Sequence, residues 1–259
     1  KEGYHTVVIN PLLISNFMKL SLRKTKTDKK DAFVIACFLS MFHSSLQESS
    51  SLSSDFQELA REREKLSFQV STLKNDIEKL LAVTFPEALK ATNVYSKGIL
   101  NLLKSYPSAW MIKTLSASEV AKLIKPEGKG RRPDISPEKI LSLARDSIAC
   151  MSPAREFILS QKISQLLLLE GELEKLNCIL TDMCQECAVE DLEILKSIKG
   201  IGDVTAIHFL AEIGDVSRFD NYKKLIAYAG LDPTVHQSGR YVGQSKISKR
   251  GNRHLRRVA

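Results

Sequence analysis

Residues 52–80 read LSSDFQELAREREKLSFQVSTLKNDIEKL, and this stretch decides the fold. Leu52, Phe56, Leu59, Arg63, Leu66, Val70, Leu73, Ile77 and Leu80 recur at alternating steps of four and three. That is a heptad seam with one polar intruder, Arg63. The pattern returns at Leu166, Leu169, Leu173, Leu176, Leu180, Met183 and Cys187. Two long amphipathic helices therefore frame the middle of the chain. They can pair with each other as an antiparallel hairpin, or with a second chain.

Between the seams, residues 85–150 read as a small helical insert. Phe85-Pro86-Glu87 ends the first long helix, Tyr106-Pro107-Ser108 is a turn, and Ser116-Ala117-Ser118-Glu119 is a helix start with an acidic first turn. The loop Glu127-Gly128-Lys129-Gly130-Arg131-Arg132-Pro133 is basic: an exposed linker or a phosphate-contacting loop.

Upstream of the seam, Ser44–Ser51 is a serine-rich break. Before it, Thr27 to about Phe42 reads as a helix that opens Thr27-Asp28-Lys29-Lys30-Asp31. Two carboxylates three residues apart share a helix face. Such oxygens suit a hard divalent cation, and Mg²⁺ needs only one or two protein carboxylates beside phosphate and water. The plainer reading makes Thr27 or Asp28 an N-cap, with Asp31 favoured by the helix dipole. His5 to Asn10, closed by Asn10-Pro11, reads as a lone strand, which needs partners to make a sheet.

Downstream, Leu192 to Ala206 reads as helix, Gly200-Ile201-Gly202 turn, helix, the sequence form of a helix-hairpin-helix. Its glycines let backbone N–H groups approach a phosphate. His236 to Ala259 holds seven cations, Arg240, Lys246, Lys249, Arg250, Arg253, Arg256 and Arg257, and no Asp or Glu. That is an electrostatic footprint for phosphate. Ser238-Gly239 lies at its start, where a serine serves as a turn residue, a phosphate donor or a nucleophile.

Composition agrees with a polyanionic partner: 38 Lys plus Arg against 30 Asp plus Glu, net charge +8 over 259 residues. No apolar run approaches a membrane span, and the opening is read as having no signal peptide. Five cysteines in helical context argue for a reducing compartment rather than a disulfide framework. Cys184-x-x-Cys187 lacks a second ligand pair, so zinc is not favoured and Cys187 is read as a packed seam residue.

Asn10-Pro11 followed by Lys26-Thr27-Asp28-Lys29-Lys30-Asp31-Ala32 resembles the end of the N-terminal domain of DEDD-type insertion-sequence transposases, the bridge-RNA-guided serine recombinases. Phe85-Pro86-Glu87 and Tyr106-Pro107-Ser108 resemble landmarks of their middle region. Gly200-Ile201-Gly202, Ala211-Glu212-Ile213-Gly214, Arg218-Phe219, Tyr228-Ala229-Gly230-Leu231, Ser238-Gly239 and Ile247-Ser248-Lys249-Arg250-Gly251-Asn252 resemble their C-terminal domain. The ordered set covers nearly the whole chain.

The resemblance implies a mainly α chain. Residues 1–45 would be the remnant of an α/β RNase H-like (RuvC-like) domain. Residues 46–190 would be coiled-coil helices with a helical insert, and residues 191–259 a helical transposase domain with a helix-hairpin-helix. It implies that Asp28 and Asp31 are two of four acidic Mg²⁺ ligands, with the other Asp and the Glu upstream of Lys1, and that helices continue past Ala259. It makes Ser238 the nucleophile, with Ser245 and Ser248 as fallbacks. Gly200, Gly202 and the seven cations would contact nucleic acid.

The implied partners are DNA, a structured guide RNA and further copies of the chain in a homodimer or homotetramer. The implied place is the bacterial cytoplasm, at the nucleoid. The implied function is cutting and rejoining DNA during transposition. Two other readings stand beside it: a non-catalytic nucleic-acid-binding coiled-coil protein, which needs neither Asp28 nor Ser238, and a metal-dependent nuclease, which needs only the aspartates.

Overall fold

The structure is a computed structural model that describes residues 7, 9, 11–20, 27–43, 52–125, 134–234, 237–238 and 241–259. Side chains at 12, 52–54, 237–238 and 241–242 are not described. The expected strand His5–Asn10, the serine-rich break and the basic loop 127–133 lie outside the described residues, save Val7 and Ile9, which carry no regular structure. Among the described residues the chain is mainly helical, with only short strands. It divides into two compact units, Lys1–Asp55 and Phe56–Ala259.

The first unit contains α1 (Pro11–Met18) and α2 (Asp28–Phe42). Phe17 meets Phe38 and Phe42 edge-on, with ring centroids 5.4 and 6.3 Å apart, and this aromatic trio holds the two helices together.

The second unit is framed by α3 (Leu52–Thr84) and α9 (Pro153–Cys187), each about 50 Å long at 1.5 Å per residue. They run antiparallel within one chain: Arg63 Nε donates to Asn177 Oδ1 at 2.7 Å, and Lys74 Nζ meets Glu170 Oε1 at 2.8 Å. Lys162 Nζ meets Asp76 Oδ2 at 3.0 Å. Of the two pairings open to the seams, the intrachain hairpin is present. Val70, Leu73, Ile77 and Leu81 share one buried cluster with Leu159, Ile163 and Leu166. Each such side chain contributes roughly 1.5–3 kcal/mol by leaving water.

The insert completes this cluster with α4 (Pro86–Ala91), α5 (Lys97–Ser105), α6 (Ala109–Ile112), α7 (Ala117–Ile124) and α8 (Pro137–Arg145). Pro86 stops α3 because it has no N–H to continue the ladder, and it opens α4 instead. Ser116 and Glu119 form a reciprocal capping box at the start of α7.

At the other end of the hairpin, Ala60, Leu180 and Cys184 pack with Leu192, Ala206, Ile207, Leu210 and Ala211. These last five come from α10 (Val189–Lys196) and α11 (Asp203–Ile213). Cys187 is exposed and Cys184 is fully buried, so the seam residue is Cys184. A 3.5-residue seam slips around a 3.6-residue helix, and by this point α9 packs on α10 and α11 as well as α3.

Among the described residues that follow are α12 (Tyr222–Ala229), four two-residue strands and α13 (Arg253–Val258). Strand β1 (Pro233–Thr234) pairs antiparallel with β4 (Lys246–Ile247), and β2 (Gln237–Ser238) with β3 (Tyr241–Val242).

Candidate nucleic-acid interface

In the first unit, Thr27 is the N-cap of α2: its hydroxyl accepts from Lys30 N at 3.4 Å and its carbonyl from Asp31 N at 2.9 Å. Asp28 and Asp31 therefore stand in the first turn without being the cap. Asp28 is exposed and Asp31 half-buried. Two carboxylates a turn apart can supply part of a Mg²⁺ shell. Among the described residues no group of three or more His, Cys, Asp or Glu gathers to complete one.

In the second unit, α10 and α11 are joined by a turn in which Gly200 adopts φ 102°, a left-handed conformation that a Cβ disfavours. Gly202 is the N-cap of α11, and no atom lies within 4 Å of where a Cβ would sit on either glycine. The turn is open to an approaching phosphate. Lys196 Nζ bridges Glu193 and Asp203 at 3.3 and 3.0 Å, so the start of α11 already carries a neutralised acid.

The basic segment is anchored by two close backbone approaches. Gly230 ends α12 at φ 67°, and a Cβ on Gly251 would lie 2.3 Å from Tyr228 O and 2.4 Å from Gly230 N. Lys249, at φ 54°, donates its N–H to Gly230 O at 2.9 Å. Lys246, Lys249, Arg250 and Arg253 are exposed. Arg256 Nη1 instead donates to Ala229 O at 2.8 Å, and Arg257 Nη1 pairs with Glu64 Oε1 at 2.6 Å. Arg240 and the Ser238 side chain lie outside the described residues. The Ser238 backbone is the last residue of β2, registered opposite Tyr241.

Of the fallback serines, Ser245 is exposed. The Ser248 hydroxyl donates to Asp232 Oδ1 at 2.5 Å and accepts from Arg250 N at 3.3 Å, a pairing that closes the β1–β4 turn.

The sequence reading did not single out the polar cluster behind this surface. Glu212, 2% exposed, accepts from Arg61 Nε and Nη2 at 2.7 and 2.8 Å, from Gln57 Nε2 at 3.1 Å and from Asn252 Nδ2 at 2.6 Å. That hydrogen bonding raises the Arg61 pKa against the opposing effect of burial. Glu64 accepts from His254 Nδ1 at 2.5 Å. Burial opposes ionisation of Glu64, but His254 and Arg257 outweigh it and hold the carboxyl below its ordinary range. His208 is buried 3.5 Å from Arg63; burial first, then the Arg63 charge, lowers its pKa. The available signal was His208 and Glu212, four residues apart inside the apolar run Ala206–Ile213.

A sequence model described as transposase matches residues 1–86, and one described as transposase of the IS116/IS110/IS902 family matches residues 192–258. The mini-circle protein for IS117 of Streptomyces coelicolor is 29% identical over 255 residues, 91% of this chain and 60% of that protein. The transposase for insertion sequence element IS1111A of Coxiella burnetii is 42% identical over 69 residues, covering 27% of this chain and 19% of its own. The pilin gene-inverting protein of Moraxella bovis is 47% identical over 64 residues, 24% of this chain and 20% of its own. The chain thus spans 60% of the length of the IS117 protein it matches. Among the described residues no helix is long and apolar enough to cross a membrane. Two transposase models thus match the chain at its two ends, and over residues 192–258 the chain is similar to transposases of the IS116/IS110/IS902 family.

Proposed function

We propose that the protein acts in transposition by cutting and rejoining DNA, with Asp28 and Asp31 as metal ligands and Ser238 as the nucleophile. One observation carries the reading: the acid-free basic segment, with Lys246, Lys249, Arg250 and Arg253 turned to solvent, falls within the part matched by the IS116/IS110/IS902 model. Relatives named for transposition and for gene inversion both act on DNA segments, in keeping with that partner.

The chemistry assigns each group a task. A serine hydroxyl needs activation and aim to attack phosphorus. When its Oγ bonds to phosphorus, a bridging P–O bond of the strand breaks; the hydroxyl proton leaves and the departing oxygen takes one up. The phosphoserine bond keeps the energy of the broken linkage, so a second strand's hydroxyl can displace the serine without ATP. A Mg²⁺ held by Asp28 and Asp31 with further acidic ligands would neutralise the scissile phosphate. Lys249, Arg250 and Arg253 supply fixed positive potential for the flanking backbone.

The same reading has a structured guide RNA as a second polyanionic partner, a homodimer or homotetramer as the working assembly, and the bacterial cytoplasm, at the nucleoid, as the site of action. The experiment is metal-dependent strand cleavage by the full-length protein carrying Asp28→Asn or Asp31→Asn. Loss of cleavage with an unchanged melting temperature supports the reading. Undiminished cleavage in both variants would leave the aspartates a capping role and favour a nucleic-acid-binding protein without catalysis.

A further inference from the structure

We infer that Glu212 is a positioning residue: its buried carboxylate fixes the orientation of Asn252, and thereby aims the basic turn 246–253 at a nucleic-acid phosphate backbone. The inference rests on the proposed function for its partner and on geometry for everything else.

A carboxylate can only accept hydrogen bonds. The Asn252 side chain facing Glu212 at 2.6 Å must therefore present Nδ2 to it, which turns Oδ1 the other way. There Oδ1 accepts from His254 N at 2.9 Å and Leu255 N at 3.1 Å, the first free donors of α13. The backbone is fixed in the same step, because Asn252 N donates to Tyr228 O at 2.7 Å. Tyr228 returns through its hydroxyl to the Glu212 carbonyl at 3.4 Å.

One buried acid thus sets the residue from which both arms of the basic turn leave. On one side stand Lys249 and Arg250; on the other, Arg253 opens α13, and all three are exposed. The far side of the same carboxylate is gripped by Gln57 and Arg61 of α3. Glu64, a turn further along α3, takes His254 and Arg257. Gln57, Arg61 and Glu64 recur at steps of four and three and so form one stripe of α3. The long helix and the basic turn meet on Glu212, and the turn keeps its aim only while that junction is intact.

The test is a cycle of Asn252→Asp, Glu212→Gln and the double variant in the 259-residue chain. Binding to a duplex oligonucleotide is measured against salt, alongside amide hydrogen exchange of residues 249–255 without DNA. In Asn252→Asp two carboxylates face each other, and the turn should lose its aim. Affinity should fall about 10-fold, and the slope of log affinity against log salt should flatten by about two phosphate contacts. Exchange at 253–255 should quicken.

In the double variant the amide introduced at position 212 donates to the carboxylate introduced at position 252, which still accepts from α13. Affinity, slope and protection should recover only in part, because the same amide now faces Arg61 Nη2 and Gln57 Nε2, which donate to that oxygen in the parent. The inference is overturned if Asn252→Asp binds with the parent's affinity and slope, or if the double variant is no better than Asn252→Asp. It is also overturned if affinity falls with an unchanged slope and only in proportion to the melting temperature. A parent chain that binds no nucleic acid would sink the proposed function instead, and the exchange cycle would still decide whether Glu212 sets the turn.

Discussion

A Cβ on Gly98 would lie 2.2 Å from the carbonyl oxygen of Ile124, so α5 and α7 touch backbone to backbone at that crossing. Gly171, in the middle of α9, would place its Cβ within 4 Å of nothing. The two glycines should respond in opposite directions. Gly98→Ala should cost about 2–3 kcal/mol through forced separation of the helices. Gly171→Ala should add about 0.5–1 kcal/mol by helix propensity. Urea melts of the two variants check this, and equal shifts would contradict the packing described.

The six cations of the C-terminal segment that lie among the described residues should separate into two classes. Replacing Lys246, Lys249, Arg250 or Arg253 by Ala should each lower the salt slope of DNA binding by about one, with little change in melting temperature. Arg256→Ala removes a bond to Ala229 O, and Arg257→Ala unpairs Glu64, so these two should lower the melting temperature first. Salt titrations and thermal melts on the six variants distinguish the classes.

Stability should fall in two stages on acidification. His208 titrates below its ordinary value near 6.5, so under that pH the unfolded chain binds a proton the folded chain refuses, and stability drops as pH falls. Glu64 is held below its ordinary value near 4.5; its contribution is complete above that pH and is lost as pH falls through the folded value. His208→Gln should remove the upper stage and leave the lower. A melting temperature that stays flat from pH 7 to 5 in the parent would contradict this assignment.

Much of the frame was readable from residues 52–80 and 166–187, because a heptad seam records its buried face locally. Which surface would cover that face was not readable. The choice rests on Arg63–Asn177, Lys74–Glu170 and Asp76–Lys162, pairs that only the folded register brings together. Ser116–Glu119 was legible as a helix start because both partners of the cap lie within one turn. The Glu212 cluster was not: Arg61 lies 151 residues from it and Asn252 lies 40 away. The strands escaped because two residues are too few to show an alternation.

Thr27 and the two aspartates should also divide their work. Thr27→Ala should cost the first unit about 1 kcal/mol, since it removes the hydroxyl that accepts from Lys30 N. Asp28→Asn and Asp31→Asn should cost no more than about 0.3–1 kcal/mol each through the helix dipole. Helicity of a peptide spanning residues 11–43, followed by circular dichroism, gives the comparison. A larger loss from the aspartates than from Thr27 would return them to a structural role.

A serine nucleophile leaves a covalent protein–DNA adduct, and trapping that adduct is the test. The full-length protein should be denatured during reaction with its DNA, digested, and the modified peptide located by mass spectrometry. A phosphodiester-linked nucleotide is expected on Ser238, absent in Ser238→Ala and in Asp28→Asn, and retained in Ser245→Ala. An adduct on Ser245 or Ser248 would move the nucleophile. Recombination that proceeds normally with all three serines replaced would contradict the covalent mechanism.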